Sequence, residues 1–135
     1  MGEREMRYEV ELPATPAAIS TARQAVSKFA ASHGADRQKV ALAVSEAVAN
    51  AVAHAYAGKG AGRVQVRAWA EDDAVRVAVV DQGMGLGSNP RRASGLGLPL
   101  MRLVTEALFV ASTKLGVEVV MAFERHLRDQ GRQPK

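Results

Sequence analysis

The pentapeptide Asp81-Gln82-Gly83-Met84-Gly85 directly follows an apolar stretch, and its residue types suit the binding of a flat ligand. Glycines at alternating positions, Gly83 and Gly85, allow positive φ angles and a close approach of the backbone. Asp81 would be dehydrated at the end of a buried strand and would need a hydrogen-bond donor to offset that cost. The exocyclic amine of adenine is one such donor. Taken alone, however, a loop with an Asx turn and flexible glycines is the simpler explanation of this motif.

A second glycine motif, Ser94-Gly95-Leu96-Gly97-Leu98-Pro99, stands where a loop gives way to helical periodicity. Backbone N–H groups and the positive end of the helix dipole make a helix N-terminus a natural phosphate site. The motif lacks the GxxxxGK[ST] pattern of a P-loop, and no strand leads directly into it as in a dinucleotide fingerprint. By itself it is weak, since a plain capping turn is commoner.

A line of polar residues marks the segment DRQKVALAVSEAVANAVAHAY, residues 36–56. Glu46, Asn50 and His54 recur every four residues and therefore share one face of a helix. A carboxylate and a carboxamide one turn apart, with alanines around them, leave room for a large molecule to approach. A solvated helix stripe is the commoner explanation of such a segment, although stripes of that kind usually contain Lys and Arg, and this one has none after Lys39.

Hydrophobic periodicity predicts the elements that position these motifs. Strands are predicted over residues 7–12, 63–70, 74–80, 108–112 and 117–123, and helices over residues 16–32, 36–56 and 96–106. Thr15 is the predicted cap of the first helix, Gly34 its left-handed stop, and Asp36 the cap of the second. The third helix is predicted to turn inward the residues Leu96, Leu100, Leu103 and Val104. This order predicts an α+β fold, a two-layer α/β sandwich with a mostly antiparallel sheet and helices on one face.

Length and composition limit the classes of protein that fit. The chain has 135 residues, so we expect a single domain over residues 1–135, with a charged, frayed tail over residues 126–135. The absence of cysteine excludes disulfides and thiolate metal sites and fits a reducing compartment. No apolar run has membrane-spanning length, and the N-terminus lacks a signal-peptide core. The net charge of +4 admits a polyanion, but scattered basic residues and only six aromatic residues argue against direct nucleic-acid binding.

The combination of motifs is far more specific than its parts. A helix with Glu46 and Asn50, a strand that ends in DxGxG, and GLGL at residues 95–98, in this order, resemble the GHKL ATPase superfamily. The short length and the string SEAVANAVAHAY are most similar to the anti-sigma factor serine/threonine-protein kinases of bacterial stress and sporulation switches. The resemblance covers nearly the whole chain. It implies a GHKL-type sandwich in which about three helices cover one face of a mixed, mostly antiparallel sheet.

The resemblance also implies ATP and Mg²⁺ as cofactors and assigns roles to individual residues. Glu46 would polarise the attacking hydroxyl or water, and Asn50 would ligate Mg²⁺ between the phosphates. Asp81 would accept a hydrogen bond from the adenine amine. His54 also matches a family position, but we expect it to pack or to hydrogen-bond at the helix end. These residue types suit the chemistry, because Mg²⁺ prefers hard oxygen ligands and phosphoryl transfer depends on positioning and charge neutralisation.

The glycine motifs have implied roles as well. Gly83 and Gly85 would shape the purine slot, and a short lid would span residues 87–94. The phosphates would be held by the residues of the second motif, Gly95, Leu96, Gly97 and Leu98.

Two positions depart from the family pattern. Val117 follows the glycine of the final hairpin, where the family usually places a threonine, and its side chain cannot hydrogen-bond. The lid carries Arg91 and Arg92 slightly upstream of the usual phosphate-contacting arginine, and Ala93 takes the nearer position. Both departures bear on nucleotide affinity and kinase rate, and neither bears on the fold.

The function implied by the resemblance is that of a cytoplasmic, ATP-binding regulator of transcription in a stress response. It would phosphorylate a serine of an anti-anti-sigma protein and sequester a sigma factor. A second copy of the chain is a further candidate partner, whereas direct binding to nucleic acid or a membrane is not expected. Two alternatives stay open: a nucleotide-binding interaction module with little or no kinase activity, which Val117 favours, and a related switch kinase that activates a phosphatase.

Overall fold

The computed structural model describes residues 6–57, 62–81, 97–113 and 116–126. These ranges contain five strands and three helices in the order β-α-α-β-β-α-β-β. Their bounds are β1 (Arg7–Pro13), α1 (Pro16–Ser32), α2 (Arg37–Ala57), β2 (Arg63–Ala70), β3 (Ala74–Asp81), α3 (Gly97–Val104), β4 (Ala107–Thr113) and β5 (Gly116–Glu124). None of the helices in these ranges combines the length and the hydropathy needed to cross a membrane.

The strands form one sheet in the order β1-β2-β3-β5-β4. All four pairings are antiparallel, so the sheet is more regular than the mixed, mostly antiparallel one that the sequence predicts. The nearly continuous apolar composition of β3 agrees with its place at the centre of the sheet, where a strand has neighbours on both sides. The predicted two-layer α+β sandwich is confirmed.

The core lies between the helices and one face of the sheet, and it consists largely of valine and alanine. Val64, Val66 and Ala68 alternate with polar residues along β2 and are buried against the helices. The other face of the sheet carries charged side chains on β1 and β2. At the turn between β2 and β3, Arg76 Nε and Trp69 Nε1 donate to the Glu71 carboxylate at 2.7 and 2.9 Å. These hydrogen bonds lower the pKa of the Glu71 carboxyl.

The predicted signals at the helix ends are found in the structure. Thr15 occupies the N-cap position in an extended conformation before α1, which begins at Pro16, but its side chain makes no capping hydrogen bond. Gly34 follows the helix with φ of +92°, the left-handed conformation that glycine adopts without strain. Asp36 Oδ1 then accepts the backbone N–H of Lys39 at 3.0 Å and so caps α2.

The third helix differs from its prediction in length and in orientation. It ends at Val104, where Thr105 Oγ1 donates to the carbonyl of Met101 at 2.8 Å. Met101 is fully buried, whereas Leu103, which was expected to face inward, is 78% exposed. Arg102 marks the polar side of this helix, and Met101 and Leu103 flank it symmetrically, so periodicity cannot decide which of the two is buried. Packing against α2 makes that selection.

The C-terminal end of the described chain is tied to two turns. The Arg125 guanidinium donates through Nε to the His33 carbonyl at 2.7 Å and through Nη1 to the Glu71 carbonyl. The backbone N–H of His126 donates to the Gly34 carbonyl at 2.9 Å. Arg125 and His126 therefore join the end of β5 to the connection between α1 and α2. The sequence instead groups His126 with a frayed tail, of which residues 127–135 lie outside the described part.

Gly34 provides a test of this junction. A Cβ atom at position 34 would lie 2.6 Å from the His126 carbonyl oxygen, and a φ of +92° is unfavourable for alanine. We expect Gly34→Ala to lower the free energy of unfolding by about 1–3 kcal/mol, measured by urea denaturation. Gln38→Ala, at an exposed position in the first turn of α2, is the control and should change stability little. Equal stability of the two variants would contradict the packing described here.

Candidate functional site

The two ends of the sandwich can be told apart from its connections. His126, just after β5, bonds to Gly34, just before α2, and Glu124 at the end of β5 pairs with Ala74. The N-terminus of α2 therefore lies at the end of the sheet where β3 begins. The other end is the one where β3 finishes at Asp81.

Glu46 and Asn50 lie in the part of α2 that approaches the Asp81 end. They are nine and thirteen residues after Arg37, or about 14 and 20 Å along the helix axis at 1.5 Å per residue. Asp81 is roughly 23 Å from Ala74 at 3.3 Å per residue of strand. Because α2 packs directly on β3, Asn50 comes close to the level of Asp81.

Lys39 lies on a flank of α2 that borders α3. Lys39 lines a cavity of about 360 Å³ together with Leu103 and Val104 of α3. Glu46 and Asn50 follow Lys39 at seven and eleven residues, so they share its flank of α2. Both are half-buried, and the neighbouring positions toward the sheet are the buried alanines and valines of the core.

Asp81 is a carboxylate at the rim of the core. It continues the series Val75, Val77 and Val79, whose side chains face the helices, and it is only 2% exposed. In the sheet register, Asp81 lies opposite Val64 on β2 and opposite Val117 on β5. Val117, where the sequence departs from the family pattern, is thus a direct cross-strand neighbour of Asp81. It is 8% exposed and therefore also buried.

The N-terminus of α3 belongs to the same end. After the helix, the N–H of Glu106 donates to the Ala122 carbonyl at 2.7 Å, and Ala122 pairs with Arg76 near the start of β3. The helix therefore runs from the Asp81 end, where Gly97 is its first residue, toward the Ala74 end.

Asn50, Asp81 and the first turn of α3 therefore lie toward one end of the molecule, and Glu46 lies one helical turn farther from it along α2. The other predicted residues are outside the described part of the chain, namely Gly83, Gly85, Gly95, Leu96, the lid over residues 87–94, and the side chains of Leu98 and His54. The roles of all these residues stay predictions.

The chemistry of the donor set fits magnesium bound together with a nucleotide. Among the described residues there is no group of three His, Cys, Asp or Glu side chains that could hold a metal ion alone. A carboxylate and a carboxamide on one flank of α2 supply hard oxygen atoms, which suit a cation that takes its remaining ligands from phosphate and water. The buried carboxylate of Asp81 separately suits an amine donor, as the amino group of adenine would provide.

Comparison with known proteins agrees with the arrangement of this sandwich. The sequence matches the histidine kinase-like ATPase domain over residues 12–123. The structure of the RsbU and RsbW domains of Rv1364c from Mycobacterium tuberculosis is similar, with 27% identity and a TM-score of 0.66 over 90% of this chain and 34% of that one. The histidine kinase domain of a blue-light activated kinase from Erythrobacter litoralis shares the fold, with 23% identity and a TM-score of 0.56 over 82% of this chain and 60% of that one. No curated protein sequence matches significantly.

These similarities place the chain among proteins with a two-layer ATPase fold, in which three helices cover an open antiparallel sheet. The chain belongs to the histidine kinase-like ATPase domain family, and this membership makes it a kinase-like, ATP-binding domain. The match covers 34% of the Mycobacterium tuberculosis chain, so this chain spans about a third of that chain's length.

Proposed function

We propose that this protein is a cytoplasmic ATP-dependent kinase that phosphorylates a serine on an anti-anti-sigma protein and sequesters a sigma factor. The observation that supports the proposal is the buried carboxylate of Asp81 at the end of β3 in an ATPase-family fold, with Glu46 and Asn50 on the helix that packs on this strand. The similarity to a structure that contains an RsbW domain supports the anti-sigma branch of this class. A regulator of transcription with these two partners would act as a switch, because phosphorylation of one partner decides which of the two it holds.

In the proposed complex, Asp81 identifies the base of the nucleotide. Its carboxylate would accept a hydrogen bond from the adenine amine, whereas the C6 oxygen of guanine has no hydrogen to donate. The buried position of Asp81 makes this discrimination strong, because a mismatched polar pair there cannot be rescued by bulk water. Gly83 and Gly85 would let the backbone approach the ring.

Glu46 and Asn50 would have separate roles, Glu46 in catalysis and Asn50 in metal binding. Glu46 would orient the serine hydroxyl and accept its proton as the serine oxygen bonds to the γ-phosphorus and the bond to the bridging oxygen of ADP breaks. Asn50 would hold Mg²⁺ through its carboxamide oxygen, and the ion, when bound, would neutralise phosphate charge. Gly95, Leu96, Gly97 and Leu98, at the start of α3, would offer backbone N–H groups to the phosphates.

One prediction of the proposed function concerns recognition of the adenine base. Asp81→Asn replaces an acceptor with a side chain whose NH₂ would face the adenine amine, so ATP and ADP should both bind more weakly. The expected loss is about 1–3 kcal/mol, measured by calorimetry. GTP should bind the wild-type protein much more weakly than ATP.

Asp36→Asn is the matched control, because this exposed aspartate caps α2 at the opposite end of the domain. It should leave nucleotide affinity unchanged. Equal ATP and GTP affinities in the wild-type protein would falsify the assignment of Asp81.

The second prediction separates chemistry from binding. Glu46→Gln keeps the size of the side chain, so Mg-ATP should bind with near wild-type affinity while phosphate transfer falls by roughly 10²–10⁴-fold. Asn50→Ala should instead lose the magnesium-dependent part of the ATP affinity and keep the metal-free part. ATP titrations with and without Mg²⁺, beside a transfer assay on a serine-bearing partner, measure both effects.

The control for Glu46→Gln is Glu106→Gln, which makes the same change from carboxylate to carboxamide at an exposed position after α3. This variant should transfer phosphate at the wild-type rate. If Glu46→Gln transfers phosphate as fast as the wild-type protein, Glu46 is a solvated helix residue. If the wild-type protein phosphorylates its serine partner but binds no sigma factor, a switch kinase that activates a phosphatase replaces the sigma-binding function.

A second candidate function rests on Val117. A nucleotide-binding interaction module with little or no kinase activity is favoured by a valine directly opposite Asp81, since this side chain offers no hydrogen bond to the edge of the base. ATP binding without phosphorylation of any candidate partner would select this alternative.

The third prediction follows from the same pair. Val117→Thr keeps the shape of the side chain and adds a hydroxyl that can donate to a ring nitrogen of adenine, so ATP affinity should rise by about 0.5–1.5 kcal/mol. The matched control is Val119→Thr on the same strand, which lies opposite Val79 and is 7% exposed. It should lower stability without raising affinity. Identical ATP affinities in the two variants would show that position 117 does not border the base.

A further inference from the structure

The cavity of about 360 Å³ beside Lys39 lies at the end of the domain opposite Asp81. Its walls come from three parts of the chain, namely the residues around the start of α2, the end of α3 with the residues that follow it, and the end of β5. The described lining residues include none of those assigned to the nucleotide or to Mg²⁺. The cavity is therefore separate from the candidate nucleotide site.

One side of this cavity is apolar. Phe123 is buried, Val104 is half-buried, and Leu103 is 78% exposed. Because the removal of apolar surface from water is favourable, a molecule that covered Leu103 would be stabilised by this contact.

Acidic side chains outnumber basic ones around the cavity. Asp36, Glu106 and Glu124 line it together with Lys39, so three negative charges stand against one positive charge, a formal charge of −2 with His126 neutral. All four side chains are exposed. Within the described ranges, none of the three carboxylates pairs with a lysine or arginine side chain. The cavity therefore suits an occupant that is both basic and partly apolar.

The sequence continues into such a segment directly beside the cavity. His126 lines the cavity, and its backbone N–H donates to the Gly34 carbonyl at 2.9 Å. Residues 127–135 lie outside the described part and read LRDQGRQPK. Three of these side chains are basic and one is acidic, which gives the segment a side-chain charge of +2. Its first residue, Leu127, is apolar.

We propose that residues 127–135 dock in this cavity, with Leu127 packed on Leu103 and Arg128 paired with the carboxylates. Leu127 is bonded to a residue that lines the cavity, and each residue extends the chain by at most about 3.3–3.6 Å, so both contacts are within reach. The attachment also keeps the segment at a high effective concentration beside the cavity. A few modest contacts are then sufficient for docking.

Other occupants fit the cavity less well. A basic segment of another protein, or of a second copy, would make similar contacts but would lose translational and rotational freedom on binding. No group of three His, Cys, Asp or Glu side chains in the described ranges could hold a metal ion. An anion would meet the net negative charge of the cavity. Charge and connectivity together therefore favour the attached segment.

Docking would fasten the end of α3. This helix packs against α2 and β4, while its Leu103 side chain stays exposed. The docked segment would join that exposed side to the end of β5, where Arg125 and His126 already bond to the connection between α1 and α2. We therefore expect the segment to hold α2, α3 and β5 together at this end of the domain.

Disulfide formation within one molecule tests the proposed contact, since the chain has no cysteine of its own. The double variant Leu103→Cys/Leu127→Cys should lose both thiols under mild oxidation at low protein concentration and keep the mass of a monomer. A disulfide forms only where the two Cα atoms come within about 7 Å. Arg63→Cys/Leu127→Cys is the control, since Arg63 is exposed at the Asp81 end of the sheet, and its thiols should stay free.

A double-mutant cycle tests whether the two leucines act together. Leu103→Ala and Leu127→Ala should each lower the urea midpoint of unfolding, and the double variant should lie close to the lower of the two. Without docking, Leu103→Ala would change the midpoint little, because the side chain is largely exposed. Phe109→Ala, at an exposed position on the open face of the sheet, is the control, and its effect should add to that of Leu127→Ala.

Hydrogen exchange tests the charged contact. Arg128→Glu should speed the exchange of the α3 amides by roughly two- to fivefold at low ionic strength, and this difference should shrink at high ionic strength. Lys28→Glu makes the same change of charge at an exposed position of α1. It should leave the exchange of α3 unchanged.

Three results would overturn the proposal. One is a Leu103→Cys/Leu127→Cys protein that forms no disulfide or only covalent dimers, the latter assigning the cavity to a second copy. Another is a Leu127→Ala variant with the wild-type urea midpoint, which would leave the cavity to a basic segment of another protein. The third is additivity of Leu103→Ala and Leu127→Ala, which would show that the two side chains do not touch.

Discussion

The close packing of α2 on the central strand is the constraint on which the rest of the structure depends. The face of α2 toward the sheet is made of Val40, Val44, Ala47, Val48 and Ala51, all buried. Small side chains at these positions let the helix backbone lie near β3, which it contacts directly. Because protein interiors are close-packed, this face fixes the rotation of α2 about its axis. The rotation in turn directs the flank with Glu46 and Asn50 toward α3, at the end of the domain where β3 finishes.

Asp81 places a buried carboxylate at the rim of this core. Asp81 has cross-strand neighbours that are both valines, Val64 and Val117. Burial of a charge among apolar groups is costly unless other groups compensate it. A valine at this position would extend the apolar series of β3 without that cost, so packing alone does not require a carboxylate there. Val117, which is buried opposite Asp81, has a normal role in the core.

The sequence predicts local features of this fold better than features that depend on distant contacts. The bounds of α1, the left-handed Gly34 and the Asp36 cap follow from a few neighbouring residues, and the structure contains all three. The inward face of α3 does not follow, since only packing on α2 selects Met101 over Leu103. The ties of Arg125 to the turns at His33 and Glu71 join positions far apart in sequence, and no local pattern encodes them. For the candidate site, motif order indicates the residues, but their shared location at one end of the sheet depends on strand order.

The short helix α3 has one fully buried side chain and one that is largely exposed. Its first residue, Gly97, lies at the Asp81 end, and its Met101 side chain is fully buried. Its Leu103 side chain points away from the core beside β4. A helix of two turns has little stability of its own, so tertiary contacts hold it in place. Its position therefore depends on its packing against α2. Phosphate groups bound at its N-terminus, as in the proposed function, would favour an ordered α3 and would link ligand binding to the stability of this element.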